Sequence, residues 1–194
     1  NIVLFLFLSF VLLSLTTHVV CLPRFINHVN AQTRAPAPAP AAKSPELKKI
    51  CGVTGQPELC ASSVLPYLKG IVNPDNVLKA ELEAVKEETT KAMAYIEKTV
   101  RLSSLSTLEK NTIGSCGELF TSVLDDVKSA QESIDAHNAD DVSNWLSGVQ
   151  AFITTCNIGF EELKVVQPKE LIEFHTRMQK LNENSLAILF GFNK

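Results

Sequence analysis

Between Ala139 and Leu163 the segment ADDVSNWLSGVQAFITTCNIGFEEL places Val142, Trp145, Leu146, Val149, Phe152, Ile153, Cys156, Phe160 and Leu163 at steps of three and four residues. That spacing gathers side chains onto one stripe of an α-helix. It predicts a helix with one buried face, on which Trp145 is a packing anchor. Asp140 and Asp141 precede the stripe, where carboxylates can accept from unpaired N–H groups and complement the positive end of the helix dipole. The cysteine constrains the fold further. A thiol on a buried helical face in an oxidising compartment calls for a partner on a neighbouring element, so Cys156 asks what else the chain supplies.

The compartment is read from the opening run. Ile2 to Leu15 is almost wholly apolar and continues through Val19, Val20, Cys21 and Leu22, which predicts a secretory signal peptide over residues 1–31, its Met start missing. A membrane anchor is the competing reading. Thr16, Thr17 and His18 interrupt the run, and Val29-Asn30-Ala31 offers small residues suited to cleavage. Setting Cys21 aside with the leader leaves Cys51, Cys60, Cys116 and Cys156, which permit three pairings. Cys51 and Cys60 are close in sequence, with Gly52, Gly55 and Pro57 between them to turn a short helical hairpin. That leaves Cys116 for Cys156. The cysteines lack the close C-x-x-C spacing of zinc and redox sites, and His137 and His175 are the only histidines after the leader. No metal site or cofactor is expected.

Residues 32–45 alternate Ala and Pro into Ser44-Pro45, a composition that favours extended polyproline II over packing and reads as a spacer. A folded domain is expected over 46–194. Its first helix starts near Glu46, with Ser44 as cap and Pro45 in the first position, and a second covers 58–69. Four longer stripes follow. Val77, Leu78, Leu82, Val85, Thr89, Ala92, Met93, Ile96 and Val100 mark the first; its charged positions Lys79, Glu81, Glu83, Lys86, Glu87, Glu88 and Lys91 read as a solvated outer face. Ile113 to Ile134 mark the second, with Gly114 and Gly117 beside Cys116 as small residues for a close helix approach. The stripe 139–163 is the third, and Pro168 to Phe190 the fourth, with His175 at the edge of the core. Short connections force neighbouring helices to run oppositely, so the expected fold is all-α: an antiparallel up-and-down four-helix bundle with a small N-terminal helical hairpin.

Catalytic constellations are missing from the sequence. It contains no G-x-S-x-G elbow, no phosphate-binding glycine loop, no H-E-x-x-H and no Glu-x-x-His pair of the di-iron bundles. A net charge of −3 without a basic cluster speaks against nucleic acid. The expectation is a non-enzyme that acts through its surface.

The layout resembles the plant invertase and pectin methylesterase inhibitor family. The likeness is carried by Ile50-Cys51-Gly52-Val53-Thr54 leading to Leu59-Cys60, by Cys116 and Cys156 on successive helices, and most specifically by Asp141-Val-Ser-Asn-Trp-Leu-Ser147 followed by Thr155-Cys156 and Phe160. Asn184-Ser-Leu-Ala187 is similar to the family's last helix. Together these span about residues 46–190.

The resemblance implies a secreted, noncatalytic inhibitor acting in the apoplast or cell wall, with the same two bridges. In the pectin methylesterase branch the second and third bundle helices cover the enzyme's substrate cleft. By that match Glu118, two after the third cysteine, and Thr155, just before the fourth, are candidate partner contacts, while Ile158 stands where the branch often has Asp. Inhibitors of acid invertase carry Pro-Lys-Phe at the start of the third bundle helix. This chain has Asp140-Asp141-Val142 there, so pectin methylesterase is the favoured partner and acid invertase the alternative. The same module occurs as the pro-region of some pectin methylesterases, but no enzyme domain is seen before Lys194, and a stand-alone inhibitor is expected. A secreted bundle holding a small apolar ligand is a third reading, which an internal cavity would distinguish.

Overall fold

The structure is a computed structural model and describes residues 44–192; the expected leader 1–31, and the spacer up to Lys43, lie outside them. The described residues form six α-helices and no strand: α1 (Pro45–Cys51), α2 (Pro57–Val64), α3 (Pro74–Thr99), α4 (Thr107–Asp135), α5 (Ala139–Leu163) and α6 (Lys169–Phe192).

Local chemistry sets most of the boundaries. Ser44 and Asn73 cap α1 and α3 by accepting from Leu47 N and Asn76 N, and each cap is followed by a proline whose missing N–H costs nothing in the first turn. Ser106 and Glu109 form a reciprocal capping box on α4. At α5 the cap is Asn138, whose Oδ1 accepts from Asp141 N, and the Asp141 carboxylate accepts from Asn138 Nδ2 at 2.7 Å. Asp140 and Asp141 therefore sit inside the first turn. Helix α2 stops at Val64, short of the expected residue 69, because Pro66 has no N–H to continue it. The α4–α5 reversal uses His137 in the left-handed region, φ 53°, and Lys164 at φ 52° ends α5.

The four long helices form a closed ring in which α3 packs on α4 and α6, and α5 packs on α4 and α6. With short turns between successive members this is the antiparallel up-and-down bundle. Leu82, Phe120, Leu146, Ile153, Met178 and Leu181 fill its interior. The α1–α2 hairpin, closed by a Cys51–Cys60 disulfide with Cα atoms 5.6 Å apart, lies on α3 and α6 and buries Leu47, Ile50 and Val64.

Three expectations need correction. Trp145 is 39% exposed and Leu163 50%. The buried members of α5 are Val142, Leu146, Val149, Ile153, Cys156 and Phe160, a strict four-three alternation that makes a narrow seam, and Trp145 lies one position off it. Glu81 is 0% exposed, because the hairpin covers the side of α3 that would otherwise meet water, taking Ala80 and Ala84 with it. Gly114 is not a point of close approach: a Cβ there would meet nothing within 4 Å, and one at Gly117 would make only ordinary contact with Ile96. The tight approach lies on the other helix, where a Cβ at Gly148 would collide with Asp126 Oδ2.

Candidate functional site

The α4–α5 pair is the part of the surface on which the candidate contacts fall. A disulfide joins Cys116 to Cys156 with Cα atoms 4.9 Å apart, stapling the two helices at one level. Glu118 follows Cys116 by two positions and is exposed on α4; Thr155 precedes Cys156 and is exposed on α5, its hydroxyl donating to Ala151 O at 2.8 Å. The bridge brings both residues to the same level of the helix pair, and each is exposed there. Ile158 is also exposed, one turn beyond Thr155.

Trp145, Gly148, Phe152, Thr155 and Gly159 follow one another on α5 at steps of three and four, so they share the flank that meets α4 at the Gly148–Asp126 approach. Asp126 is half-buried there, and its carboxyl is pushed above the ordinary range first by that burial and then by the neighbouring Asp125. Along this flank Trp145 and Thr155 are separated by roughly 15 Å of helix. Sequence periodicity hides the exposure of the indole, because an aromatic within an apolar stripe has the signature of a core residue; only the one-position offset from the heptad seam betrays it.

Charge is also unevenly placed. Helices α4 and α5 carry ten carboxylates and two lysines, a formal balance of −8 in a chain whose total is −3. Helix α5 has no basic residue at all. The mild overall charge thus conceals a strongly acidic pair of helices compensated elsewhere, a segregation that whole-chain composition averages away.

No group of three His, Cys, Asp or Glu residues is arranged to hold a metal ion among the described residues. His175 is 6% exposed and places Nε2 2.8 Å from Ile153 O; burial pushes its pKa down against the opposing effect of that hydrogen bond. No helix among the described residues is long and apolar enough to cross a membrane. An apolar cleft lies between α1 and α2, lined by Leu47, Cys51, Pro57 and Ala61, but it opens to solvent and is not enclosed by the bundle.

Residues 45–188 match the family model described as plant invertase/pectin methylesterase inhibitor. The chain belongs to that family. Among its curated relatives, pectinesterase inhibitor 6 of Arabidopsis thaliana is 28% identical over 160 residues, covering 74% of this chain and 73% of that one. Pectinesterase 1 of the same plant is 27% identical over 174 residues, 79% of this chain but only 29% of the longer protein. The crystal structure of a mutant form of an Arabidopsis pectin methylesterase inhibitor superimposes with a TM-score of 0.62 over 76% of this chain and 97% of its own, and that of a pectin methylesterase inhibitor from Arabidopsis thaliana with 0.56. At 16% identity this last likeness is one of fold, and it makes the inhibitor-family helical bundle the architecture of this chain.

Proposed function

We propose that this protein is a secreted, noncatalytic inhibitor of pectin methylesterase, which reversibly covers the enzyme's substrate cleft with its α4–α5 face. The observation that carries the reading is the face itself: two helices covalently stapled to each other, strongly acidic, and presenting Glu118, Thr155 and Trp145 to solvent while the bundle interior is filled by its own side chains. A pre-organised face loses little entropy on docking. Exposed Trp is the residue type that most often dominates an interface energetically, when a partner pocket takes it. An acidic surface accelerates encounter with a basic partner and rejects acidic ones.

One sequence feature and one likeness favour pectin methylesterase over acid invertase. The α5 start reads Asp140-Asp141-Val142 instead of Pro-Lys-Phe, and a relative similar over most of both chains is named a pectinesterase inhibitor. Residues 1–31 act in this reading as the signal that directs the protein to the apoplast and 32–45 as the spacer behind it.

Purified mature protein is mixed separately with a plant pectin methylesterase and an acid invertase, and the residual activity of each is assayed. Loss of esterase activity alone is the expected result. Loss of invertase activity alone overturns the partner assignment, and retention of both activities overturns the inhibitor reading.

A further inference from the structure

The hairpin is held to the bundle by one buried polar cluster as well as by apolar packing. Glu81 of α3 lies beneath the hairpin with Oε1 accepting from Asn184 Nδ2 of α6 at 2.9 Å and Oε2 in hydrogen-bond contact with Ser63 Oγ of α2. Three elements meet at this one carboxyl group. Ser63 Oγ is also 3.0 Å from the carbonyl oxygen of Cys60, the cysteine that closes the hairpin.

Proton counting decides how these contacts are made. A serine hydroxyl has one proton, and the Cys60 carbonyl can only accept. If Ser63 donates to Cys60, the proton between Ser63 and Glu81 must come from Glu81. A neutral carboxylic acid satisfies every contact: Oε2–H donates to Ser63, Ser63 donates to Cys60, and Asn184 donates to Oε1. An ionised Glu81 can only accept, so Ser63 must turn its proton inward and release the Cys60 carbonyl.

The surroundings supply only a weak compensating charge. On α6 the cation that acts on Glu81 is Arg177, and it is paired with Glu88 of α3 at 3.2 Å. Lys180 and Glu183 of α6 are exposed. On α2 the other acid, Glu58, lines the cleft shared with α1, and Glu46, Lys48 and Lys49 of α1 are exposed. Burial accordingly pushes the Glu81 carboxyl up to about 7, against the weaker opposing pull of Ser63, Asn184 and Arg177.

We propose that Ser63, Glu81 and Asn184 form a proton-dependent latch, which holds the Cys51–Cys60 hairpin on the bundle while Glu81 is protonated and loosens it when Glu81 ionises. The sign follows from linkage. A carboxyl whose folded pKa is raised stabilises the closed arrangement fully below its ordinary pKa, and that contribution is lost as pH rises from about 4.5 through about 7. Acid conditions close the latch and neutral conditions weaken it.

The test is amide hydrogen exchange on the whole protein at pH 5 and pH 8, corrected for the intrinsic pH dependence of exchange. Hairpin amides in α1 and α2 are expected to lose protection by at least about tenfold at the higher pH relative to amides of α4 and α5. Glu81→Gln presents a permanent neutral donor and acceptor, and should remove that differential loss. A carbon-13 titration of the Glu81 side chain in the unaltered protein keeps the test independent of how well the variant folds. A midpoint in the ordinary carboxylate range, hairpin protection that does not change relative to the bundle, or an equal change in Glu81→Gln would each overturn the latch.

Discussion

His175 Nε2 lies 2.8 Å from the carbonyl oxygen of Ile153, and Asn182 Nδ2, seven residues further along α6, lies 3.1 Å from that of Leu146, seven residues back along α5. Equal and opposite steps of two helical turns mean that one antiparallel register satisfies both contacts. A slip of α6 by one turn would strand two buried polar side chains, so the pair specifies the register as well as contributing hydrogen bonds.

The same contact sets a pH dependence. Because His175 has a lowered folded pKa, the unfolded chain takes up a proton below about 6.5 more readily than the folded one, and stability present above that pH falls as the solution is acidified. His175→Gln keeps a side-chain donor without the titration. Urea midpoints at pH 5, 6 and 7 should show that the parent loses stability relative to the variant towards pH 5. Glu81 has the opposite slope, so each effect is read as a parent-minus-variant difference.

Trp145→Ala should cost little stability, below about 1.5 kcal/mol, because the indole is off the buried seam, whereas Leu146→Ala should cost about 2–5 kcal/mol. Guanidinium unfolding of the two variants checks this ordering. In the esterase assay Trp145→Ala should weaken inhibition at least about tenfold, the loss expected of an aromatic anchor at an interface.

Glu118→Ala combined with Thr155→Ala should weaken inhibition while leaving helical content and the unfolding midpoint nearly unchanged, since both side chains are exposed. Ile158→Asp should strengthen it by adding a carboxylate to the same end of the face. Titration of residual esterase activity against inhibitor concentration measures both; a double variant as potent as the parent would move the contact elsewhere.

Association should slow as salt is raised. Ten carboxylates against two lysines on α4 and α5 make a field that mobile ions screen over about 10 Å at 0.1 M ionic strength. Stopped-flow or surface-binding kinetics should show the association rate falling between 0.02 and 0.5 M salt, roughly, with the dissociation rate changing much less. An association rate independent of salt would show that charge does not steer the encounter.

Replacing Cys116 and Cys156 by Ser should destabilise more than the same change at Cys51 and Cys60. The sequence separations are 40 and 9 residues, for which loop-closure entropy gives about 4 and about 2.5 kcal/mol. Denaturant unfolding of the two double variants tests the order.

What the sequence determined by itself was the set of local decisions: helix positions from three-and-four periodicity, the first start from Ser44 and Pro45, and the hairpin from two nearby cysteines with glycines and proline between them. These depend on interactions within a few residues, which is why they are legible in one dimension. The placement of Trp145 and Glu81 was not. Both belong to helices whose patterns are ambiguous by one position, and their environments depend on what covers each flank. Among the described residues α5 packs mainly on α4 and α6, so its buried seam is narrow and Trp145 remains in solvent; α3 carries the hairpin as well, so its nominally charged face closes over Glu81. Whether a side chain meets water is set by the neighbour that arrives from elsewhere in the chain, and that neighbour exists only in the tertiary structure.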